Sequence, residues 1–303
     1  MSIKVKAWLA LIFICLAWGT TYLGIKIGLE ALPPFLMAGV RQFSAGILIF
    51  LMSLGNKMKK DFSIDNIARQ ALIGFLLITL GNGLVSWAEL YIPSGVAALI
   101  CAIIPITTVL LNLGIQKNET LNNTIIIGMI LGFIGVAINF KESIGDIGKA
   151  KYTLGIFAVF MATIAWAIGS IISKKNNKPT NPIFNSALQV TFGGLFLLLF
   201  SPLVDDYQLI NLNNTEGILG ILYLIIIGSV FAYTAYMYAL KHLPIGLVMI
   251  YSYINPLVAV LLGWWMADEV LNLYTLISFL CIIFGLLVVN NGYKKLATKN
   301  NAT

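Results

Sequence analysis

The sequence predicts an all-α polytopic membrane protein, with ten transmembrane helices arranged as two inverted five-helix repeats. Three observations predict this fold: the composition, the length of the apolar segments, and a duplication within the chain. Of the 303 residues, 59% are hydrophobic and only 10% are charged, and the mean hydropathy is +0.92. A soluble domain carries charge on about a quarter of its residues, so lipid must cover most of this surface and a water-soluble enzyme is excluded.

Ten apolar segments of the chain are each long enough to cross about 30 Å of hydrocarbon as a helix. We number these spans 1 to 10 in chain order, and they cover residues 7–28, 35–54, 70–89, 93–115, 122–140, 152–173, 182–201, 217–240, 244–267 and 272–291. Their apolarity is continuous and does not alternate at every second residue, as it does in the strands of a membrane barrel. The segments therefore predict helices.

Lys and Arg residues are distributed unevenly between the two sides of the predicted bundle. With the amino terminus inside, 14 of the 19 fall in inner segments, and only Lys141, Lys149 and Lys151 fall in outer ones. Because positively charged loops stay in the cytoplasm, we expect both termini to be cytoplasmic. Topology then explains the net charge of +7, and we predict a lipid bilayer but no nucleic acid as a partner.

The second half of the chain repeats features of the first half. Residues 90–111 align with residues 240–262, and the matched residues are Pro93 with Pro244, Pro105 with Pro256, Trp18 with Trp166, and Gly46 with Gly194. Each half contains five spans, so the second half must enter the bilayer from the opposite side. Such inverted repeats recur in secondary transporters, whose solute site lies near the membrane midplane. The alternative is a duplication that serves folding alone.

The duplication also predicts how the chain is divided. We expect a first repeat at residues 1–141, a linker at 142–151, a second repeat at 152–292 and a cytoplasmic tail at 293–303.

Three segments resemble a known family. These are WGTTYLGIKIGLEALPPFLMAGVRQ at residues 18–42, WAELYIPSGVAALICAIIP at 87–105 and AYMYALKHLPIGLVMIYSYINPLVAVLLGWWMADEVL at 235–271. They are similar to the corresponding stretches of the EamA family in the drug/metabolite transporter superfamily. The resemblance implies two inverted EamA repeats in the cell inner (plasma) membrane and carriage of small metabolites, often of amino acids outward. It does not imply one solute, and NLGIQKNETL, the first-half counterpart of GWWMADEVL, lacks the tryptophans.

Motifs for catalysis are poorly represented. The single histidine, His242, excludes a His-Glu-x-x-His zinc site, and the sequence has no Gly-x-Ser-x-Gly elbow and no Gly-rich phosphate loop. Cys15, Cys101 and Cys281 all lie in apolar runs, which is typical of buried hydrophobes. We therefore predict no enzyme activity, no cofactor, no metal and no ATP-driven pumping.

Polar and aromatic residues recur at helical spacing within several spans. In span 3, Thr79, Asn82, Ser86 and Glu89 follow at steps of three or four residues, which places them on one helix face. Polar groups are costly in lipid, so we expect such faces to line a cavity, although small polar residues also serve ordinary helix packing. The predicted solute-binding residues are Trp18, Asn82, Trp166, Tyr233, Tyr236, Tyr251 and Asn255. Aromatic rings with a few amides and hydroxyls suit a small amphipathic solute such as an amino acid.

Arg41 lies roughly 10 Å into span 2 from the predicted outer face. A lone Arg in hydrocarbon costs about 2.5–3.5 kcal/mol, so we expect a carboxylate partner. Glu89 is the nearest candidate and would complete an outer gate; a purely structural ion pair and snorkelling of Lys26 are the alternatives. Glu89 also leaves proton coupling open, beside facilitated diffusion.

Pro105 and Pro256 each remove a backbone donor at matched positions of the repeat. They predict either hinges in spans 4 and 9 or simple packing features.

The leading interpretation is a secondary transporter that exports a small metabolite, an amino acid or a related compound, by alternating access. Export of a nucleobase, a sugar or a drug by the same fold is the alternative for the solute. A membrane solute sensor or lipid-handling scaffold without transport is the competing class. The sequence predicts no particular oligomeric state.

We expect Asn176→Cys, in a variant without the natural cysteines, to resist an impermeant thiol reagent added outside intact cells. The reason is the flanking Lys174, Lys175 and Lys178, which the positive-inside rule keeps in the cytoplasm. Labelling after permeabilisation is the control for reactivity. Labelling in intact cells would show that the predicted topology is wrong.

Overall fold

The computed structural model describes residues 2–55, 61–115, 122–139, 150–175, 181–266 and 273–300. Most of the predicted linker and position 176 therefore lie outside the described residues. Seven helices in the described part are long and apolar enough to cross a membrane, and three shorter apolar helical segments accompany them. No strand occurs in these ranges. The predicted fold class, a polytopic helical membrane protein, is confirmed.

Helices form at each of the ten predicted spans. Spans 1, 2, 5, 6, 7 and 10 are the helices Ile3–Gly28, Pro34–Leu54, Asn123–Asn139, Ala150–Lys174, Pro182–Val204 and Leu273–Asn300. Spans 3 and 8 each contain a π-helical segment between two α-helices. In span 3 the π-helical segment Phe75–Gly83 lies between Ile64–Gly74 and Leu84–Ala88. In span 8 the π-helical segment Leu224–Phe231 lies between Thr215–Tyr223 and Ala232–His242. Spans 4 and 9 are interrupted, as Ser94–Cys101 with Ile104–Ile115 and Ile245–Val248 with Tyr251–Met266. A short 3-10 turn, Tyr207–Leu209, lies between spans 7 and 8.

The last helix extends into the predicted cytoplasmic tail at residues 293–303, and the location of this segment stays a prediction. The helix of span 10 continues without interruption to Asn300. Residues 293–300 contain no glycine or proline, and their lysines, leucine and alanine favour a helix. Lysines near the carboxyl end of a helix also interact favourably with its dipole.

The interruptions of spans 4 and 9 lie at different distances from the matched prolines. In span 4, residues 102 and 103 form a turn just before Pro105, which has no N–H to donate to the preceding turn. In span 9, the turn lies at residues 249 and 250, and Pro256 lies inside the helix Tyr251–Met266. The interruption of span 9 therefore lies before Pro256 and not at it. Hinge motion at either proline stays a prediction.

The two halves of the chain are interlocked. Span 1 packs on spans 8 and 9 of the second half, and span 6 packs on spans 3 and 4 of the first half. Spans 2 and 7 pack on each other, as do spans 5 and 10. Each half therefore completes its packing only with the other half.

Spans 2 and 7 approach each other closely through two glycines at matched repeat positions. A Cβ on Gly46 would lie 2.6 Å from the backbone nitrogen of Thr191, and a Cβ on Gly194 would lie 2.8 Å from the Cα of Phe43. At the end of span 7, the carboxylate of Asp205 accepts the backbone N–H of Leu36 at 2.6 Å. This carboxylate caps the start of span 2 from the other repeat.

Large apolar side chains cover the outside of the bundle. Leu16 is 55% exposed, Leu199 is 61% exposed and Phe284 is 59% exposed. Exposure of so many large apolar groups is tolerated where lipid, rather than water, is the surrounding medium.

We expect Gly46→Ala and Gly194→Ala to destabilise the fold by about 1–3 kcal/mol each, because the atoms that meet the new methyl group are backbone atoms. The measurement is the melting temperature of the detergent-solubilised protein. Gly55→Ala is the matched control, since the nearest atom to its Cβ would be 4.0 Å away. Equal melting temperatures for all three variants would contradict the close approach of spans 2 and 7.

Candidate functional site

A cavity that encloses about 580 Å³ of empty space lies between the two halves. We call it the central cavity. Five of the seven predicted solute-binding residues line it, namely Trp18, Asn82, Trp166, Tyr251 and Asn255. The other lining residues are Thr21, Tyr22, Ile25, Arg41, Gly81, Val85, Cys101, Ile104, Ala162 and Thr163. Both repeats therefore contribute to the wall.

The central cavity is displaced toward one side of the bundle. We call the side on which Arg69, Lys174 and Lys241 lie the basic face, and the other side the opposite face. Ile25 and Val85 line the cavity within one turn of the helix ends at the opposite face. The cavity therefore reaches toward the opposite face and ends on aromatic rings in the direction of the basic face.

Four aromatic rings form this floor, which we call the aromatic layer: Trp18, Trp166, Tyr236 and Tyr251. The ring centroids of Trp18 lie 5.5 Å from Trp166, 5.1 Å from Tyr236 and 4.7 Å from Tyr251. The pairs with Trp166 and Tyr251 are edge to face, a favourable arrangement for aromatic rings. Trp18 is therefore the ring at which span 1 joins spans 6, 8 and 9.

Tyr236 belongs to the aromatic layer but is not among the residues that line the cavity, and its contact with solute stays a prediction. Its side chain is fully buried, and its hydroxyl shares a 2.5 Å hydrogen bond with the Ser170 hydroxyl. The ring of Tyr236 packs at 5.5 Å on Trp166. Helical spacing identified the correct face of span 8, but Trp18 and Trp166 lie between this tyrosine and the empty space.

Tyr233 also lies outside the cavity lining, and its contact with solute stays a prediction. Its hydroxyl donates to Gln189 Oε1 of span 7 at 2.7 Å. The π-helical segment that immediately precedes this part of span 8 has a wider turn than an α-helix. Counting at 3.6 residues per turn from the preceding residues therefore misplaces Tyr233.

Gln189 belongs to a buried amide network that joins spans 3 and 7 near the basic face. Gln189 Nε2 donates to Gln70 Oε1 at 2.6 Å, and Gln70 Nε2 donates to Asn66 Oδ1 at 3.0 Å. Asn66 Nδ2 in turn donates to Asn185 Oδ1 at 3.2 Å. The sequence analysis missed this network. Its signal is a pair of amide residues four apart in each span, which places each pair on one helix face.

A second cavity, with about 510 Å³ of empty space, lies on the basic-face side of the aromatic layer. We call it the vestibule. Its polar lining includes Gln70, Asn185, Gln189, Lys174 and Lys241. Lys174 Nζ donates to the carbonyl oxygens of Leu240 and Leu243 at 2.8 Å and 2.6 Å. These bonds tie the end of span 6 to the segment that connects spans 8 and 9.

The two π-helical segments occupy matched positions of the repeat and both contact the aromatic layer. The carbonyl of Gly228 in span 8 accepts the indole N–H of Trp18 at 2.9 Å. In span 3, a Cβ on Gly81 would lie 2.8 Å from Trp166 Cε3, so only glycine permits this contact. The two segments thus provide an acceptor for one tryptophan and space for its repeat mate.

Arg41 is not held by a direct ion pair with Glu89, which corrects the prediction of a bonded outer gate. Its Nε donates to the Ser229 hydroxyl at 2.9 Å, and its Nη2 contacts the Gly228 carbonyl at 3.5 Å. Both Glu89 oxygens are buried without a hydrogen-bond partner among the described residues. The two charges are close enough to interact electrostatically, but Glu89 lies outside the cavity lining. The π-helical segment of span 8 supplies neutral acceptors nearer to Arg41.

Asn255 and Asn82 differ in their surroundings. With its amide nitrogen facing the available acceptors, Asn255 donates to the carbonyls of Cys15 and Tyr251 at 3.2 Å and 2.9 Å. Asn255 therefore ties span 9 to span 1. The Asn82 side chain is half-buried and faces the central cavity.

No cluster of three His, Cys, Asp or Glu side chains suited to a metal ion occurs in the part of the chain that the structure describes.

A helical bundle of two interlocked halves around a cavity of solute size is the architecture of a membrane transporter. The sequence profile of the EamA-like transporter family matches residues 5–141 and, a second time, residues 153–291. The uncharacterized inner membrane transporter YedA of Escherichia coli K12 is 32% identical over 290 residues, or 93% of this chain and 90% of that protein. The uncharacterized transporter YoaV of Bacillus subtilis is 23% identical over 283 residues, or 93% of this chain and 96% of YoaV. The chain belongs to the EamA-like transporter family.

A solved crystal structure has the same fold. Its chain is 18% identical in sequence, and the two superpose with a TM-score of 0.80 over 96% of this chain and 99% of the other.

We expect Tyr233→Phe to lower the melting temperature without changing apparent solute affinity. The change removes the donor to Gln189 and leaves a buried acceptor unpaired, which costs about 1–3 kcal/mol. Tyr238→Phe is the matched control in the same helix, since Tyr238 is only half-buried and packs on His242. A loss of affinity in Tyr233→Phe at unchanged stability would instead place Tyr233 at the solute.

Proposed function

We propose that this family member is a secondary transporter that exports a small metabolite, an amino acid or a related compound, by alternating access. The observation that carries the proposal is the lining of the central cavity by both repeats. Trp18, Arg41 and Asn82 come from the first half, and Trp166, Tyr251 and Asn255 come from the second. A change in the packing of one half against the other therefore changes the walls of the cavity directly.

The chemistry of the central cavity suits a small amphipathic solute. Trp18, Trp166 and Tyr251 offer ring faces and edges to an apolar group, whereas Asn82 offers an amide to a polar one. These groups are the support for a metabolite of the size of an amino acid.

Alternating access is supported by the positions of the two cavities. The central cavity reaches toward the opposite face, and the vestibule lies on the basic-face side. Arg41 lines the first cavity and its repeat mate, Gln189, lines the second. The aromatic layer and Tyr233 separate them, so passage of a solute from the vestibule to the central cavity requires the tyrosines of span 8 to move.

We place the protein in the cell inner (plasma) membrane with both termini, and therefore the basic face, in the cytoplasm. The support is the uneven distribution of Lys and Arg and the description of YedA as an inner membrane transporter. In this orientation the central cavity faces outward, and export begins at the vestibule.

Solute counterflow in proteoliposomes distinguishes a carrier from a sensor or scaffold, because only a carrier exchanges labelled for unlabelled solute across the membrane. Candidate solutes come from a resistance screen, in which cells that express the protein are challenged with toxic amino acid analogues first. Nucleobase, sugar and drug analogues form the second group. Binding of a solute that gives resistance without any counterflow would contradict the transporter proposal.

We expect Trp166→Ala, Asn82→Ala and Asn255→Ala to weaken the apparent affinity for the exported solute. Full burial of an aromatic side chain is worth about 1.5–3 kcal/mol, so the loss for Trp166→Ala is roughly tenfold to a hundredfold. Flux and melting temperature are measured together. If flux falls only in proportion to the folded protein, or if affinity is unchanged in all three variants, these residues do not form the binding site.

A further inference from the structure

We infer that Arg41 binds an anionic group of the solute, and that the solute is a carboxylate with an apolar, preferably aromatic, body. The inference rests on the proposed function and names the chemical group that the central cavity recognises. It replaces the role of Arg41 as one half of an ion-paired gate with a role in solute binding.

The first observation is the position of the guanidinium group. Arg41 is only 3% exposed, and it lines the central cavity. Ser229 and Gly228 hold its Nε and Nη2 atoms from the side of span 8. Nη1 donates to no group in the described part of the chain. A guanidinium carries five N–H donors, so several donors remain for a partner in the cavity.

The second observation is the absence of a counter-charge at the cavity surface. Among the residues that the structure describes, the lining contains no Asp or Glu side chain. Glu89 influences Arg41 through its charge, but neither of its oxygens is hydrogen-bonded. A buried cation with unused donors is costly unless an anion pairs with it. A solute carboxylate can supply this anion and accept two parallel N–H bonds from the planar guanidinium.

The third observation is that apolar surface adjoins the charge. The Gly228 carbonyl that Arg41 Nη2 contacts also accepts the indole N–H of Trp18, and the rings of Trp166 and Tyr251 pack against Trp18 in the same cavity. A carboxylate at Arg41 therefore leaves the apolar body of the solute on the rings. A solute whose only charge is an ammonium group is disfavoured, because Arg41 repels it and the lining has no carboxylate to receive it.

The test uses three probes with the same apolar body: 3-phenylpropionate, 3-phenylpropionamide and 3-phenylpropylamine. Binding to the purified full-length protein in detergent is measured by titration calorimetry and by the shift in melting temperature. We expect the acid to bind about tenfold to a hundredfold more tightly than the amide, the range for a hydrogen-bonded charged group. We expect the amine to bind most weakly.

Arg41→Gln should reduce the ratio of acid to amide affinity to about one, and Arg41→Lys should keep part of the preference because it keeps the charge. Binding of the amide by Arg41→Gln serves as the check that the cavity is folded. Arg69→Gln is the matched control, because Arg69 donates to the Ile172 carbonyl outside the central cavity. It should keep the preference of the unmodified protein.

Failure to bind the acid, equal binding of acid and amide, or an unchanged preference in Arg41→Gln would each overturn the assignment of Arg41. The comparison of the three probes in the unmodified protein tests the inference even if Arg41→Gln does not fold. Counterflow separates this result from the proposed function. Exchange of solutes that lack an anionic group would overturn the carboxylate site but support the proposal that the protein is a carrier. Arg41-dependent binding without exchange would support the carboxylate site but overturn the carrier proposal.

Discussion

Backbone N–H and C=O groups inside a bilayer have no water to bond with, so each irregular turn of a transmembrane helix needs a partner within the protein or a polar cavity. This constraint explains where the departures from α-helical geometry occur. The π-helical segments lie in spans 3 and 8, and the interruptions lie in spans 4 and 9. All four spans pack against span 1 or span 6, which carry the two central tryptophans. Irregular backbone is thus confined to the helices that surround the cavity.

The carbonyl of Gly228 shows how one irregular turn can connect several elements. It accepts from Trp18 of span 1 and contacts Arg41 of span 2. Ser229, the next residue, accepts a second donor of Arg41. Position 228 therefore joins the floor of the central cavity to its charged group. In a regular α-helix the N–H of Ala232 would bond this carbonyl, whereas here it donates to the carbonyls of Ile227 and Ser229.

The fold could be predicted from the sequence because it depends on composition and on segment length, which are both directly visible. The same holds for Trp18 and Trp166, since repeat symmetry and depth identify them independently of any partner. The role of Arg41 could not be predicted, because its acceptors in span 8 are distant in sequence and arise from the local geometry of a π-helical segment. The positions of Tyr233 and Tyr236 outside the cavity lining could not be predicted for a related reason: spacing along a helix identifies a face but not which side chain lies between that face and the cavity.

Uncharged amide groups form the hydrogen bonds between spans 3 and 7 near the basic face. Asn66, Gln70, Asn185 and Gln189 contain no group that titrates in the physiological range, so their mutual bonds do not weaken as the pH or the ionic strength changes. Each amide can also exchange its partner for a water molecule at little net cost, because an amide bonds water about as well as another amide. Gln189 and Gln70 border a cavity in which water has space. The bonding between spans 3 and 7 in this network therefore depends on hydration rather than on charge.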